Sequence, residues 1–252
     1  MRAVLPADEG ERLFLRGVEE MMESCYSRSA CKSTYFLDER QRLLCAPMLA
    51  AHTEVEHRFF GGHPECRRAV LAISGGPPIG EGCFPIRPLR FLYRKQDVLT
   101  HRDFLGALLS LEIERRLVGD IFVGEGEAVA FLHQNAAPLA LEIKKVGRVG
   151  VRVEEGGLDR VPPQRFEEMG GTVASLRLDG VLGVLLRQSR GRCTQLVQAG
   201  QVQLNHREVL SPSEPLEEGD VLSVRGAGRF VLTAVGGPTK KGRLGITAQK
   251  YL

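Results

Sequence analysis

The apolar residues between Ile86 and Val153 change period in a fixed order, and no other feature limits the possible folds so sharply. Residues 86–93 read as a strand. Leu105, Leu108, Leu109 and Ile113 then give a helix a buried stripe behind Thr100, whose hydroxyl is placed to cap the helix start while Asp103 completes a capping box. Residues 118–123 and 129–133 form a hairpin about Gly124-Glu125-Gly126. A helix near 138–145 and a last strand over 148–153 follow. The order strand, helix, strand, strand, helix, strand predicts a ferredoxin-like βαββαβ domain, an arrangement that hosts many unrelated functions.

Two stretches concentrate Gly and Pro and lose this periodicity, 74–83 (SGGPPIGEGC) and about 155–171, and they read as linkers. They divide an α+β chain into an N-terminal domain over 1–74, the middle domain over 84–155 and a third domain over 172–252. The N-terminal domain opens with Leu13, Phe14, Val18, Met21, Met22 and Cys25 at helical spacing. Asp38 is placed as the N-cap of a second helix with Leu43 and Leu44 on its inner face, and strands are expected at 55–60 and 68–73, flanking Gly61-Gly62. The six cysteines form no C-x-x-C pair and no metal-ligand spacing. The N-terminus does not read as a signal peptide, and no apolar run approaches the ~18 residues of a membrane span. The expectation is a cytoplasmic protein without metal, cofactor or small-molecule substrate.

The charge is unevenly placed. From Arg177 onward there are eleven Lys/Arg against six Asp/Glu, an excess of five in a chain whose net charge is +3, so residues 1–176 carry 3 − 5 = −2. A basic domain on a slightly acidic body is what one end meeting phosphates looks like. Within it Leu178, Val181, Leu182, Leu185 and Leu186 place one apolar stripe on a first helix. Ser189 caps a second helix, which Gly200 ends. Arg190 and Arg192 sit in the first turn of that helix, where cations oppose the helix dipole unless an anion binds there. Alternating strands follow, with turns at Asn205-His206 and Glu218-Gly219-Asp220. Arg190, Arg192, Arg207, Arg225 and Arg229 are then expected to line one face, and Lys240, Lys241 and Arg243 to add a basic loop. Arg177, Ser189, Gln195 and Asn205 complete the candidate RNA-binding set. With no Trp in the chain, recognition by shape and backbone is favoured over base stacking.

The segments R-L-D (177–179), S-R (189–190), G-Q-V-Q-L-N (200–205), E-G-D-V-L-S-V-R-G-A-G-R-F (218–230) and T-K-K-G-R (239–243) resemble the RNA-binding domain named after small-subunit ribosomal protein four, the S-four domain. With L-T-H-R-D-F-L-G-A-L-L-S-L (99–111), V-G-D-I-F-V (118–123), F-L-D-E-R (36–40) and F-F-G-G (59–62), nearly the whole chain resembles the bacterial YlmH family. The resemblance implies binding to rRNA, with tRNA close by, on the large ribosomal subunit, in rescue or quality control of stalled translation. A link to cell division has also been attached to the family. It implies phosphate contacts at Arg190, Arg192, Lys240 and Lys241. Glu112 and Glu114 stand where relatives tend to carry Gly or basic residues.

Two rival readings exist. S-four domains also ride on RNA-modifying enzymes such as pseudouridine synthases, and Arg177-Leu178-Asp179 could be taken for a synthase motif. Its place at the start of the small module suits an Asp179 that caps or orients a helix. His101-Arg102-Asp103 echoes a kinase catalytic loop, but no Gly-rich phosphate loop accompanies it. The other rival is an adaptor whose basic module binds acidic protein.

Overall fold

The computed structural model describes residues 5–158, 161–163, 166–239 and 242–251, in two compact units, Met1–Pro163 and Gln164–Leu252.

The first unit begins with α1 (Glu9–Arg28), β1 (Cys31–Leu37), α2 (Glu39–Ala51), β2 (Glu56–Phe60) and β3 (Ala69–Ser74). Asp8 caps α1 by accepting from the Glu11 N–H, and Asp38 caps α2 in the same way from Gln41. The strands form an antiparallel sheet in the order β1-β3-β2. Side chains alternate along the central β3: Leu71 and Ile73 face Val18, Met22, Cys25 and Leu49 of the helices, while Val70 and Ala72 face the other way. Leu44 is buried as expected, but Leu43 is 36% exposed, because one turn cannot direct two consecutive residues to the same face.

The middle elements are β4 (Ile86–Leu92), α3 (His101–Leu109), β5 (Val118–Val123), β6 (Glu127–His133), α4 (Ala137–Leu141), the small hairpin β7 (Lys145–Val146) and β8 (Val149–Gly150), and β9 (Arg152–Glu155). The sheet order β5-β6-β4-β9, all antiparallel, is the ferredoxin-like topology. The capping box expected of Thr100 and Asp103 is present, and the Asp103 carboxylate accepts from both the Thr100 N–H (2.8 Å) and the Thr100 hydroxyl (2.6 Å). Other details differ from expectation. Phe104 and Leu108 carry the buried stripe and Leu109 is 42% exposed. The second helix is one short turn and the last strand is preceded by the β7–β8 hairpin, since the Gly147 turn, at φ +57, breaks the run. Glu112 stands at φ +59, a left-handed position where Gly is the easy residue.

Helices α3 and α4 cover one face of this sheet, over Leu89, Phe91, Leu132 and Ala130. Its opposite face, with Phe122, Val129 and Phe131, packs on Phe36, Val70 and Ala72 of the first sheet, every one of them at most 5% exposed. Burying such side chains stabilises by about 1.5–3 kcal/mol each. Polar groups stitch the rim: the Asp120 carboxylate accepts from the Arg67 and Arg68 N–H groups at 2.8 Å, and Arg68 donates to the Val118 and Phe36 carbonyls at 2.9 and 3.0 Å.

The second unit consists of β10 (Phe166–Val173), α5 (Leu178–Leu185), α6 (Arg190–Gln198), β11 (Val202–Leu204), β12 (Arg207–Glu208), β13 (Val221–Val224), β14 (Gly228–Pro238) and β15 (Leu244–Tyr251). The helix pair lies on a sheet ordered β10-β15-β14-β13-β11-β12. Residues 166–171, read as linker, are a strand: β10 pairs with β15 from Phe166↔Tyr251 to Val173↔Leu244, so Gly170 and Gly171 lie inside a ladder. The Gly171 site has little room for more, since a Cβ there would meet Val184 Cγ1 at 2.5 Å. Gly200, at φ +67, follows α6 as expected and its N–H donates to the Val197 carbonyl.

Candidate nucleic-acid interface

The site is built where the starts of α5 and α6 meet. Asp179 lies within the apolar stripe of α5 and is 3% exposed, among Leu178, Val181 and Leu182. A carboxylate there requires partners, and it has two. Arg190 donates to it through Nε (2.9 Å) and Nη2 (3.1 Å), and Arg177 through Nε (3.3 Å) and Nη2 (3.2 Å). Burial pushes the Asp179 carboxyl up, but the hydrogen bonds and charges of Arg177 and Arg190 outweigh it and hold the group below the ordinary carboxylate range. Both guanidinium groups meet Asp179 through the edge that carries Nε and Nη2, and among the described residues neither Nη1 forms a hydrogen bond. The arginine side chains are 41% and 60% exposed. One buried acid thus holds two half-fixed cations side by side, a geometry suited to phosphate oxygens.

Ser189 caps α6, its Oγ accepting from the Arg192 N–H at 3.3 Å, and Arg192 Nη1 donates to Gln195 Oε1 at 3.3 Å. Arg177, Ser189, Arg190, Arg192 and Gln195 therefore share one end of the helix pair.

The other candidates are elsewhere. Asn205 and His206, at φ +49 and +65, make the turn between β11 and β12. The Asn205 side chain donates to Asp220 Oδ1 at 2.7 Å and accepts from the Val221 N–H at 2.9 Å, so it clamps this turn to β13. Arg207 is exposed on β12, and Arg225 is exposed just after β13. Arg229 precedes the buried Phe230 on β14, so strand alternation turns it to the sheet face opposite the helices. There its guanidinium lies 5.6 Å from the Tyr251 ring centroid and its Nη2 is 3.4 Å from His206 Nε2. The expectation of a single face lined by Arg190, Arg192 and Arg229 is thereby corrected, because α6 and Arg229 are on opposite sides of the sheet. Arg243 donates to the Thr172 carbonyl at 2.6 Å, beside β10. Lys240 and Lys241 lie outside the described residues.

Sequence reasoning gave Asp179 a local role at a helix and missed that it gathers arginines. The available signal was an acid inside an apolar stripe, which must find a cation. It also missed Phe166, whose ring meets Tyr251 edge-on at 4.8 Å on the same open face as Arg229.

Comparison with known proteins gives matches along the chain. Residues 88–160 match the family described as "Putative RNA-binding domain in YlmH", and residues 176–222 match the S4 domain. The S4 match thus spans α5 to the start of β13, and β10, β14 and β15 lie outside it. The ribosome-associated protein quality control protein P2 of Bacillus subtilis (strain 168) is 32% identical over 246 residues, covering 95% of each chain. Among solved structures, the cell division protein ylmH from Streptococcus pneumoniae is 25% identical with a TM-score of 0.51, covering 62% of this chain and 98% of that one.

Proposed function

Because this chain belongs to the YlmH family, we propose that it is a cytoplasmic, non-enzymatic protein that binds rRNA on the large ribosomal subunit, next to tRNA, in the quality control of stalled translation. The observation that carries this reading is the Arg177–Asp179–Arg190 cluster at the start of the helix pair, with Arg192 beside it. Two guanidinium groups fixed by one carboxylate offer a phosphate paired donors at reduced entropic cost. The name of the Bacillus subtilis relative and the S4 match support the ribosomal partner. The chain carries this out with two compact units, the first holding the N-terminal and middle sheets on one shared core and the second holding the S4 match.

The same geometry weighs against the RNA-modifying alternative. In a synthase reading of Arg177-Leu178-Asp179 the aspartate would have to reach a base, whereas this one is buried and bonded to two arginines. The test is co-sedimentation of the full chain with ribosomal subunits, comparing wild type with Arg190→Glu/Arg192→Glu. The double variant should lose association with large subunits while remaining folded, with a lowered unfolding midpoint because it forfeits the Arg190–Asp179 pair. Unchanged co-sedimentation, or turnover of uridine to pseudouridine by the pure protein, would refute the reading.

A further inference from the structure

In open sheets of this strand order, RNA is bound by stacking bases on aromatic side chains of the face away from the helices. Here that face is closed. Phe122 and Phe131 stand on it, with ring centroids 6.1 Å apart, and the first sheet covers them with Phe36, Val70 and Ala72. Phe131 and Val129 are 0% exposed. The contact is continuous apolar core, so it offers no route by which a base could reach these rings. RNA meeting residues 88–160 must use another surface.

The β7–β8 hairpin supplies one. Val146 is wholly buried in the core under α3 and α4, so strand alternation turns Lys145 outward. The pairs Lys145↔Gly150 and Val146↔Val149, and the Val151 N–H donating to the Lys144 carbonyl at 2.9 Å, fix the hairpin. Lys144, Lys145 and Arg148 are all exposed, and among the described residues none of the three forms an ion pair. Arg152 follows, paired at 3.2 Å with Glu154 on the surface. Glu142, with Lys144, Lys145, Ser110 and Leu111, lines a hollow between the hairpin and the end of α3.

We propose that Lys144, Lys145 and Arg148 form a second RNA contact of this chain, reading the phosphate backbone and not the bases. The inference rests on the RNA-binding reading above and deepens it. Three cations on a fixed hairpin, with no exposed aromatic ring among them, suit an extended polyanion. A second cationic site also raises affinity for the same RNA through effective concentration.

The experiment measures binding of the full chain to a structured ribosomal RNA fragment by fluorescence anisotropy across a salt series. It compares wild type with Lys144→Glu/Lys145→Glu/Arg148→Glu and with the milder triple Gln variant. Loss of three phosphate contacts should flatten the slope of log K against log salt by about 2–3 and weaken binding at least about tenfold at 0.1 M salt. Both variants should keep the wild-type urea midpoint, and if the Glu variant does not fold, the Gln variant decides. Wild-type slope and affinity in a folded variant would overturn the inference while leaving the helix-pair site intact. So would unchanged RNA binding coupled with loss of a bound acidic protein, which would assign the hairpin to that partner. A wild type that binds no RNA even in dilute salt would instead remove the RNA-binding reading itself, and this contact with it.

Discussion

Replacing Asp179 with Asn separates positioning from charge, because the two predict opposite signs. The substitution keeps the shape and removes one negative charge from between Arg177 and Arg190. Counting charges alone, a more positive surface should bind RNA more tightly, steepening the salt dependence by about one. If the carboxylate's work is to hold two guanidinium groups ready, binding should weaken instead. Fixing each freed side chain again costs about 0.5–1.5 kcal/mol, so two cost about 1–3 kcal/mol, or roughly 5- to 150-fold in affinity. The effect should be clearest at high salt, where the added charge is screened. Stability changes as well. Both arginines are partly in water, so solvent screening keeps the loss of stability in the variant small. Since the folded carboxyl is held low, that contribution is complete above the unfolded carboxylate pKa of ~3.9 and is lost as pH falls through the lower folded value. The stability gap between wild type and variant should therefore be full at neutral pH and close in strong acid. Anisotropy titrations at several salt concentrations, with urea unfolding at neutral and acid pH, check both parts. A folded Asp179→Asn variant that binds RNA as tightly as wild type, or more tightly, at every salt concentration would refute the reasoning.

Two further outcomes test the fold. Gly62 has φ +99, and a Cβ there would fall 2.3 Å from the Phe131 ring, which has no space to move within the core between the sheets. Gly62→Ala should cost about 2–4 kcal/mol in urea unfolding, and a loss below about 0.5 kcal/mol would contradict the packing described. The Cys31, Cys45 and Cys66 thiols are pushed up to about 12, burial being the largest cause in each. At neutral pH their thiolate fraction should be roughly a thousandfold below that of a free thiol at ~8.5, so iodoacetamide should label them very slowly in the native protein and readily in urea. Equal labelling rates in both conditions, read by mass spectrometry, would show these sites to be open.

The local elements were legible because their signals are local. Asp38, Thr100 and Ser189 mark helix starts by chemistry within one turn, and Gly200 marks a helix end. The period changes over 86–153 give the strand and helix order of the ferredoxin-like part. What depends on distant partners was hidden. The segment 166–173 has a linker's composition and becomes a strand because β15, near the other end of the unit, supplies its ladder. β1 reads poorly in sequence and is held by β3 and by Phe36 entering a core shared with the middle sheet.

The candidate site divides in the same way. The sequence by itself determined that positive charge gathers in the last quarter, that a capped helix begins with Arg190 and Arg192, and that the chain carries the motifs of its family. Only the tertiary structure decided which cations lie together, because Arg177 and Arg190 meet at Asp179 only when α5 and α6 pack with their starts side by side, while strand alternation sends Arg229 to the far face. Packing also decided that the aromatic face of the middle sheet is core and not a binding surface. Periodicity shows that a strand has two apolar faces, but what covers each face depends on residues far away in the chain.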